Sequence, residues 1–534
     1  MTGETDVLII GAGASGAAVA WRLADAGVEV TCLDLGGWVR PEEMITGDDD
    51  WEVKRLAQWH PNPNVRQRPE DYPINQANSP IRPLMFNGVG GSTIMWSCHA
   101  PRFHPSDFRV RSLDGVADDW PLTYDDLAPY YELNDRMMGV AGVAGDPANP
   151  PRDARQTPPV PPGTGGERLA RAFDQLHWHW WPADTMINTQ PYGEGRGACN
   201  GCGPCELACP RRAKGSVDVT YWPQALRAGA KLVTGANVFE ITVDGSGQAT
   251  GARYYDDSGA EERIAAASVV VAANGIGTPR LLLLSKSTAH PNGLANSSGL
   301  VGRNLMHHPI ATATGIFDER IDGHRGITAC SIFSQEFYET DPARDFVRGY
   351  MLQAVRGHGP LLTALGSWAH PGLAWGADHH SQFAEVFGRA VSLAICGEDM
   401  PAESNRVTLD PDLRDRHGVP APALNYRVDE NARRQLDHGI ASARKVLMAA
   451  GARSIHVKDL MPDAGFHLLG TARMGEDPRR SVVDRWGRAH DVPNLFIVDG
   501  SVFVTCAALN PTPTIQALAL RTAGHIIETR RAAN

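Results

Sequence analysis

The first thirty-four residues carry the pattern that most restricts the fold of this chain of 534 residues. An apolar run ending at Ile10 leads into the glycine turn Gly11–Gly16, and an alanine-rich run then precedes a second apolar segment that ends at Asp34. A short apolar run before a glycine turn is typical of a buried strand, and the small residues after it suit a helix packed closely on a sheet. The segment therefore predicts a strand–helix–strand unit and an α/β fold.

The glycine turn has the spacing of a dinucleotide-binding site. Gly11 permits a sharp exit from the strand, Gly13 lets a pyrophosphate approach the backbone, and Gly16 lets the helix lie close to the sheet. Asp34 follows Gly16 by eighteen residues, near the distance expected for an acid that accepts hydrogen bonds from a ribose. The same turn also serves plain strand-to-helix packing, and it does not separate FAD from NAD. The residues predicted to form this site are Gly11, Gly13, Ala14, Ser15, Gly16 and Asp34.

Charge and hydropathy exclude several classes of protein. Fifty basic and sixty-one acidic side chains give a net charge of -11, which argues against nucleic acid as the main partner. The 42% share of hydrophobic residues is that of a globular protein with a sizeable core. No apolar run reaches the roughly 18 residues of a membrane-spanning helix, and no basic leader precedes the first strand. We therefore expect no transmembrane segment and a cytoplasmic location.

Later parts of the chain contribute to the same sheet and to a second domain. Runs rich in β-branched residues at 236–243, 268–273 and 494–498 predict strands that join the first sheet. The proline-rich residues 147–162 predict a surface segment, because proline removes hydrogen-bond donors from a ladder. Residues 315–457 differ in composition and end in a helical pattern, which indicates a second domain inserted into the first.

Segments far from the glycine turn carry further motifs rich in glycine, histidine and proline. They are NGVGGSTIMWS at 87–97, HLLGTARMG at 467–475, DGS at 499–501 and NPTPT at 510–514. Together with the N-terminal turn they resemble the glucose-methanol-choline oxidoreductase family, most closely its branch of gluconate, sorbose and glucose dehydrogenases and pyranose oxidases. The resemblance also takes in residues 269–285, 302–309 and 405–410, so it covers nearly the whole chain.

The resemblance implies an α/β (α+β) fold with two domains. One is a discontinuous Rossmann-like FAD-binding domain, expected at residues 1–110, 196–310 and 465–534. The other is an inserted substrate-binding domain built on an antiparallel sheet, expected at 111–195 and 311–464. FAD is then the bound cofactor.

The resemblance also implies which residues contact FAD. Gly90, Gly91 and Ser92 are expected to line the flavin, Val238 the adenine and Asp499 the diphosphate–ribityl portion. Pro511 and Thr512 are expected to approach the flavin ring. In family members with a covalent flavin, a histidine lies four residues after the position of Gly91, and this chain has Met95 there. A thioether cannot form the histidyl link, so we predict non-covalent FAD with Met95 beside it.

Oxidation of an alcohol needs a base near the hydride acceptor. Histidine suits this task because its unperturbed pKa of about 6.5 leaves it neutral near physiological pH. The resemblance implies that His467 is the base, that Asn510 is its partner, and that flavin N5 takes the hydride. We expect local packing or flavin support from His307 and His308. His177 and His179 alternate with tryptophan, which suggests one face of a strand or a wall of the substrate entrance.

Four cysteines lie within eleven residues, at Cys199, Cys202, Cys205 and Cys209. Their spacing is that of a bacterial ferredoxin run, in which thiolates hold an iron–sulfur cluster. A zinc site with four thiolates and a set of reduced structural thiols are the alternatives. The sequence does not decide among the three.

Taken together, these features predict a flavoenzyme that oxidises a CH–OH group of a sugar, a polyol or an amino sugar such as an aminoglycoside. Its electron acceptor, whether oxygen, a quinone or a cytochrome, cannot be read from the residues. One alternative is the catalytic subunit of a membrane-associated sugar dehydrogenase that relays electrons through an iron–sulfur cluster. The other is a redox flavoprotein without alcohol chemistry.

Overall fold

The N-terminal unit has the predicted strand–helix–strand form. In the computed structural model, which describes residues 3–44, 51–328, 330–367 and 371–533, strand β1 covers Gly3–Ile10, helix α1 covers Ala14–Asp25 and strand β2 covers Val30–Leu33. Val7, Leu8 and Ile9 are fully buried. Both faces of β1 are therefore covered, as expected of a central strand in a parallel sheet.

The remaining elements of the described residues follow in chain order. The later strands are β3 (Asn75–Asn78), β4 (Trp181–Pro182), β5 (Lys231–Val233), β6 (Asn237–Val243), β7 (Ala249–Tyr255), β8 (Glu261–Val271), β9 (Ile310–Ile316), β10 (Ile332–Ser334), β11 (Tyr350–Arg356), β12 (Ala390–Gly397), β13 (Arg406–Arg414), β14 (Pro420–Asn425), β15 (Ser454–Lys458) and β16 (Leu495–Ile497). The later helices are α2 (Trp51–Leu56), α3 (Pro63–Arg66), α4 (Val110–Asp114), α5 (Tyr124–Met138), α6 (Gly163–Leu176), α7 (Tyr221–Arg227), α8 (Asn274–Leu284), α9 (Pro360–Leu365), α10 (His379–Val386), α11 (Glu430–Ala449) and α12 (Thr512–Ala533).

The first sheet unites strands that are hundreds of residues apart. Its order is β5-β2-β1-β8-β7-β6, and β16 pairs with the last residues of β8, whereas β7 pairs with its first half. Strands β1, β2, β5, β8 and β16 are parallel, and β6, β7 and β8 form an antiparallel run. The strands predicted at 236–243, 268–273 and 494–498 are confirmed as β6, β8 and β16 of this one sheet.

Parallel pairing places the loops that follow β1, β2 and β8 at one edge of the sheet. Ile10 pairs with both Leu33 and Val271, so these three residues end their strands side by side. Gly11, Asp34 and the start of α8 follow directly. Ligands of open α/β sheets bind outside the carboxyl ends of the strands, which is where these loops meet.

The second sheet is antiparallel throughout, with the order β15-β9-β12-β11-β10-β4. Helix α11 packs against one face, and Gly439 is essential there because a Cβ at this position would lie 2.4 Å from the Ile395 side chain. Leu352 of β11 pairs with Ile395 and shares its face; side chains alternate along a strand, so Gln353 belongs to the opposite face. This face carries the polar group that reaches the cavity described below.

Three sequence-based expectations meet different outcomes in this region. The domain with an antiparallel sheet is confirmed as a feature of the fold, but the domain boundaries remain a prediction. Residues 147–162 contain no helix or strand, in agreement with a surface segment. The strand expected at His177 and His179 is wrong: His177 ends α6 with a left-handed φ of 56°, and His179 Nε2 bonds Asp146 at 2.9 Å. Neither of the two histidines lines the cavity described below.

Candidate active site

A cavity of about 340 Å³ runs from the glycine turn to the second sheet. It brings together residues from both ends of the chain, as the resemblance implied. Of the predicted site residues, the cavity is lined by Gly11, Gly13, Ala14, Ser15, Asp34, Gly91, Ser92, Met95, Val238, Asp499, Pro511, Thr512, His467 and Asn510. Gly16 and Gly90 are not on its wall. They act one layer behind it, since a Cβ at Gly16 would lie 1.9 Å from the Gly11 carbonyl oxygen.

The glycine turn and the segment around Gly91 approach each other so closely that a side chain at Gly91 would not fit. Gly91 has a φ of 52°, and a Cβ on it would lie 2.7 Å from Gly13 Cα. Gly90 N–H donates to the Ala12 carbonyl at 3.1 Å, which holds the two loops together. Helix α1 begins behind Gly13 without a side-chain cap and without an acid in its first turn. Its N-terminal N–H groups and the positive end of its dipole are thus available to an anion.

Two buried carboxyl groups stand at separate places on the cavity wall. Asp34 Oδ2 accepts from Ala12 N–H at 2.6 Å and Oδ1 from Gly36 N–H at 3.0 Å. Burial raises the pKa of Asp34 to about 6 although these bonds act against the rise. Asp499 accepts from the Thr278 hydroxyl at 2.6 Å and from Ser501 N–H at 2.9 Å, and burial raises its pKa too. Both side chains are held in place by these hydrogen bonds, and both can accept further hydrogen bonds from hydroxyl groups of a ligand.

Four neighbouring histidines, His99, His307, His308 and His467, lie at the far end of the cavity, and His99 and His467 line its wall. His308 and His467 face each other through their Nδ1 atoms at 2.7 Å. His308 Nε2 lies 2.7 Å from the Ala507 carbonyl oxygen, and His307 Nδ1 lies 3.0 Å from the carbonyl oxygen of His467. Burial lowers the pKa of His307 and of His308 to about 4. Burial and the neighbouring imidazoles hold the pKa of His467 well below 6.5, so this ring is neutral at neutral pH and can accept a proton.

Asn510 is oriented by a residue that the sequence analysis missed. Gln353 Nε2 of β11 donates to Asn510 Oδ1 at 3.0 Å, and both side chains line the cavity. Because its oxygen is engaged, Asn510 has its amide N–H groups left for another acceptor. The sequence held a sign of this role, because Gln353 is an amide inside the apolar strand Tyr350–Arg356. A buried polar side chain in such a run needs a specific hydrogen-bond partner.

His99 is a second residue that the sequence analysis missed. Its Nε2 accepts from Cys330 N–H at 2.8 Å, and burial lowers its pKa to about 4. The ring is therefore neutral and carries its proton on Nδ1, which makes no hydrogen bond of ordinary geometry within the described ranges, although the Asn510 side chain lies near enough to act on its pKa. This buried donor lies on the cavity wall. No pattern around residue 99 predicts it, because the residue that fixes its proton is more than 200 positions away.

Comparison with known proteins identifies the relatives of this chain. Family models for GMC oxidoreductases match residues 187–310 and 401–519, and a model for NAD(P)-binding Rossmann-like domains matches residues 9–68. The 2-methyl-1,2-propanediol dehydrogenase of Mycolicibacterium austroafricanum is 44% identical over 98% of this chain and 95% of its own length. The chain belongs to the GMC oxidoreductase family.

Other GMC relatives act on larger molecules, according to their names. The fructose dehydrogenase large subunit of Gluconobacter japonicus is 31% identical over 99% of both chains. The 6'''-hydroxyparomomycin C oxidase of Streptomyces lividus is 32% identical over 99% of this chain and 93% of its own. The protein is thus an oxidoreductase of CH–OH groups whose relatives are named for a diol, a sugar and an aminoglycoside.

The residues of the cavity fit FAD, the cofactor of the GMC family. The uncapped start of α1 and the paired glycines Gly13 and Gly91 leave room and N–H donors for the diphosphate. Asp34 would accept a hydrogen bond from the ribose of the adenosine. Asp499 would accept one from the diphosphate–ribityl portion of FAD. Val238, Pro511 and Thr512 supply the remaining wall. Within the described residues, no helix has both the length and the apolar character needed to cross a membrane.

The four cysteines lie beside this cavity and line a small pocket of their own. Cys202 is exposed and the other three are partly buried, and burial raises the pKa of Cys199 to about 11. Among the described residues, no three or more His, Cys, Asp or Glu side chains are arranged to hold a metal ion. The positions of the four cysteines therefore do not support the iron–sulfur or the zinc alternative. A metal site here remains a prediction.

Proposed function

We propose that the protein oxidises a CH–OH group of a polyol to the carbonyl, with vicinal diols as the preferred class and non-covalently bound FAD as the cofactor. One observation carries this proposal: a neutral, partly exposed His467 and an oriented Asn510 share a cavity with the nucleotide-binding turn. Catalytic bases are found where such perturbed groups line a cleft. The name of the relative at 44% identity supports the diol class.

The chain's own residues would handle the proton. The substrate hydroxyl donates to the ring nitrogen of His467 that faces the cavity, and the amide of Asn510 donates to the same oxygen as negative charge develops on it. Donors aimed at developing charge in a water-poor site supply a large part of catalysis. Gln353 holds the amide of Asn510 in the orientation that this role requires. When bound, FAD supplies the acceptor for the hydride that leaves the carbinol carbon.

Vicinal diols have a second hydroxyl, and His99 offers it a donor. The Nδ1–H of His99 makes no hydrogen bond of ordinary geometry within the described ranges, because the nearby Asn510 oxygen accepts from Gln353, and His99 lies on the same cavity wall as His467. Burying a donor without a partner is costly, so a ligand that accepts from it gains affinity. A monoalcohol leaves this donor unpaired, whereas a diol pairs it.

Replacing His99 with phenylalanine is expected to raise KM for 1,2-propanediol by about 10-fold, which corresponds to one lost hydrogen bond. For 1-propanol, which lacks the second hydroxyl, KM should change by less than about 2-fold. Steady-state kinetics with the two alcohols measures the difference. Equal losses for both alcohols would show that His99 has no role in selecting diols.

The pH dependence of the reaction reports on His467. Because burial and the neighbouring imidazoles lower its pKa, the base is already neutral at pH 6.5. We expect kcat/KM for the diol to stay constant from pH 8 down to pH 6 and to fall only in more acidic solution, as the ring becomes protonated. Stopped-flow reduction of the flavin over this range measures the profile. A midpoint at or above pH 6.5 would contradict the assignment of the base.

The substrate class can be tested by anaerobic titration of the purified, FAD-loaded protein. Diols, sorbitol, fructose and paromomycin would be added separately while the flavin absorbance is recorded. We expect 2-methyl-1,2-propanediol and 1,2-propanediol to bleach the flavin at lower concentrations than the sugar and the aminoglycoside. Bleaching by the sugar or the aminoglycoside alone would replace the diol class while leaving alcohol oxidation in place.

A further inference from the structure

We propose that His308 is a positioning residue that fixes the tautomer of His467, so that Nε2 of His467 is the basic atom that faces the substrate. This inference rests on the proposed function, in which His467 is the base. It also replaces the expectation that His308 serves local packing or flavin support. Two hydrogen bonds set the positions of the protons, and a third fixes the backbone of the base.

The first bond fixes the proton of His308. Its Nε2 lies 2.7 Å from the carbonyl oxygen of Ala507 and 3.2 Å from that of Cys506. A carbonyl oxygen only accepts hydrogen bonds, so Nε2 of His308 must carry a proton. Burial lowers the pKa of His308 to about 4, so the ring holds one proton at neutral pH and its Nδ1 is a bare acceptor.

The second bond passes this constraint to His467. The Nδ1 atoms of the two rings are 2.7 Å apart, a distance at which one must donate to the other. Because Nδ1 of His308 is an acceptor, Nδ1 of His467 carries the proton. The lone pair of neutral His467 therefore lies on Nε2. The opposite tautomer would place two lone pairs against each other at the same distance.

Backbone pairing holds the two rings in register. Met306 and Leu469 form an antiparallel bridge, with N–O distances of 3.0 and 3.2 Å, which places residue 308 opposite residue 467. The third bond, at 3.0 Å between His307 Nδ1 and the carbonyl oxygen of His467, ties down the backbone of the base. A 159-residue separation in sequence thus becomes a fixed contact between two rings.

The same contact stabilises the base after it has reacted. As the substrate O–H bond breaks, a bond forms between its proton and His467 Nε2; FAD, when bound, would supply the acceptor for the hydrogen and electron pair that leave the carbinol carbon. His467 is then an imidazolium whose Nδ1–H donates to His308, and a hydrogen bond from a charged donor is about twice as strong as a neutral one. The acceptor on His308 thus gives the charged ring a hydrogen-bond partner, while burial and the neighbouring imidazoles still hold the pKa of His467 below 6.5.

Three substitutions of His308 distinguish the roles of its two ring nitrogens. His308→Asn places an amide oxygen near the position of Nδ1, and so keeps an acceptor for His467. His308→Gln places an amide N–H near the position of Nε2, and so keeps the bond to Ala507 alone. His308→Leu removes both. We expect kcat to fall by about 100-fold for His308→Leu and His308→Gln and by less than about 5-fold for His308→Asn, because a catalytic histidine loses activity when its tautomer is no longer fixed. KM and FAD content should change little.

A spectroscopic measurement reads the tautomer without turnover. In the FAD-loaded, oxidised protein with ¹⁵N-labelled histidine, the signals of His467 are assigned by their loss in His467→Ala. We expect a protonated Nδ1 and an unprotonated Nε2 in the wild type and in His308→Asn, and a mixture in His308→Leu. This readout is independent of the reaction, so it separates a failure of the tautomer argument from a failure of the proposed function.

Two results would overturn the inference. One is a wild-type spectrum in which Nε2 of His467 carries the proton. The other is full activity in His308→Gln with loss in His308→Asn, which would give His308 the role of holding the carbonyl groups of residues 506 and 507. If the variants do not fold, the wild-type spectrum still decides.

Discussion

Replacing His467 with alanine is expected to lower the rate of flavin reduction by a diol by about 10³-fold to 10⁴-fold, with FAD still bound. The loss is the full contribution of a general base. The neighbouring imidazoles are not placed to replace it: His99 has its basic nitrogen occupied by Cys330 N–H, and neither His307 nor His308 lines the cavity. FAD should remain because the turn and the carboxyl groups that would hold it lie on other segments.

Stopped-flow spectroscopy under anaerobic conditions measures this rate, and the FAD to protein ratio follows from the absorbance of the same sample. His380→Ala is the matched control, since this histidine is exposed and does not line the cavity. The control should bleach as fast as the wild type. Wild-type bleaching in His467→Ala would remove His467 from its role as base.

The second large effect is expected from Gly13→Val, which should yield a folded protein that is purified without FAD and binds it at least about 100-fold more weakly. The backbone of Gly13, with φ -78° and ψ -161°, suits any residue. A Cβ there would meet only Gly91 Cα, at 3.7 Å, so the fold can accept the change. The side chain would instead occupy the space in which a pyrophosphate must approach the helix N-terminus.

The matched control is Gly245→Val in the turn after β6, where a Cβ meets nothing within 4 Å. Titration of the FAD-free protein followed by flavin fluorescence gives the dissociation constants, and circular dichroism checks the fold. We expect the control to be yellow and the Gly13 variant colourless. A yellow Gly13 variant of unchanged affinity would place the diphosphate elsewhere.

The local parts of the fold could be predicted from the sequence because their causes are local. The turn at Gly11 and the helix after it follow from backbone freedom and small side chains within a few residues. Helix α11 follows from its apolar period, and Asp429 caps it by accepting from Ala432 N–H at 2.8 Å. The strand expected at His177 failed because alternation of aromatic and polar residues also occurs in an irregular segment whose side chains find separate partners.

The contacts that complete the candidate site could not be predicted in this way. The proton position on His99 depends on Cys330, and the orientation of Asn510 depends on Gln353 of the second sheet. The role proposed for His308 depends on a backbone bridge that places it opposite His467. Each is a pairing across more than 150 residues, set by topology and register and not by local pattern.

The most direct test of the central claim, that an alcohol gives up its hydroxyl proton to His467 and its hydride to bound FAD, is a comparison of two substrates in the stopped flow. One is 2-methyl-1,2-propanediol, and the other is the same diol deuterated at its primary carbinol carbon. We predict that both bleach the flavin and that the deuterated diol does so severalfold more slowly in the wild type. An FAD-loaded protein that no diol, sugar or aminoglycoside bleaches would contradict the account.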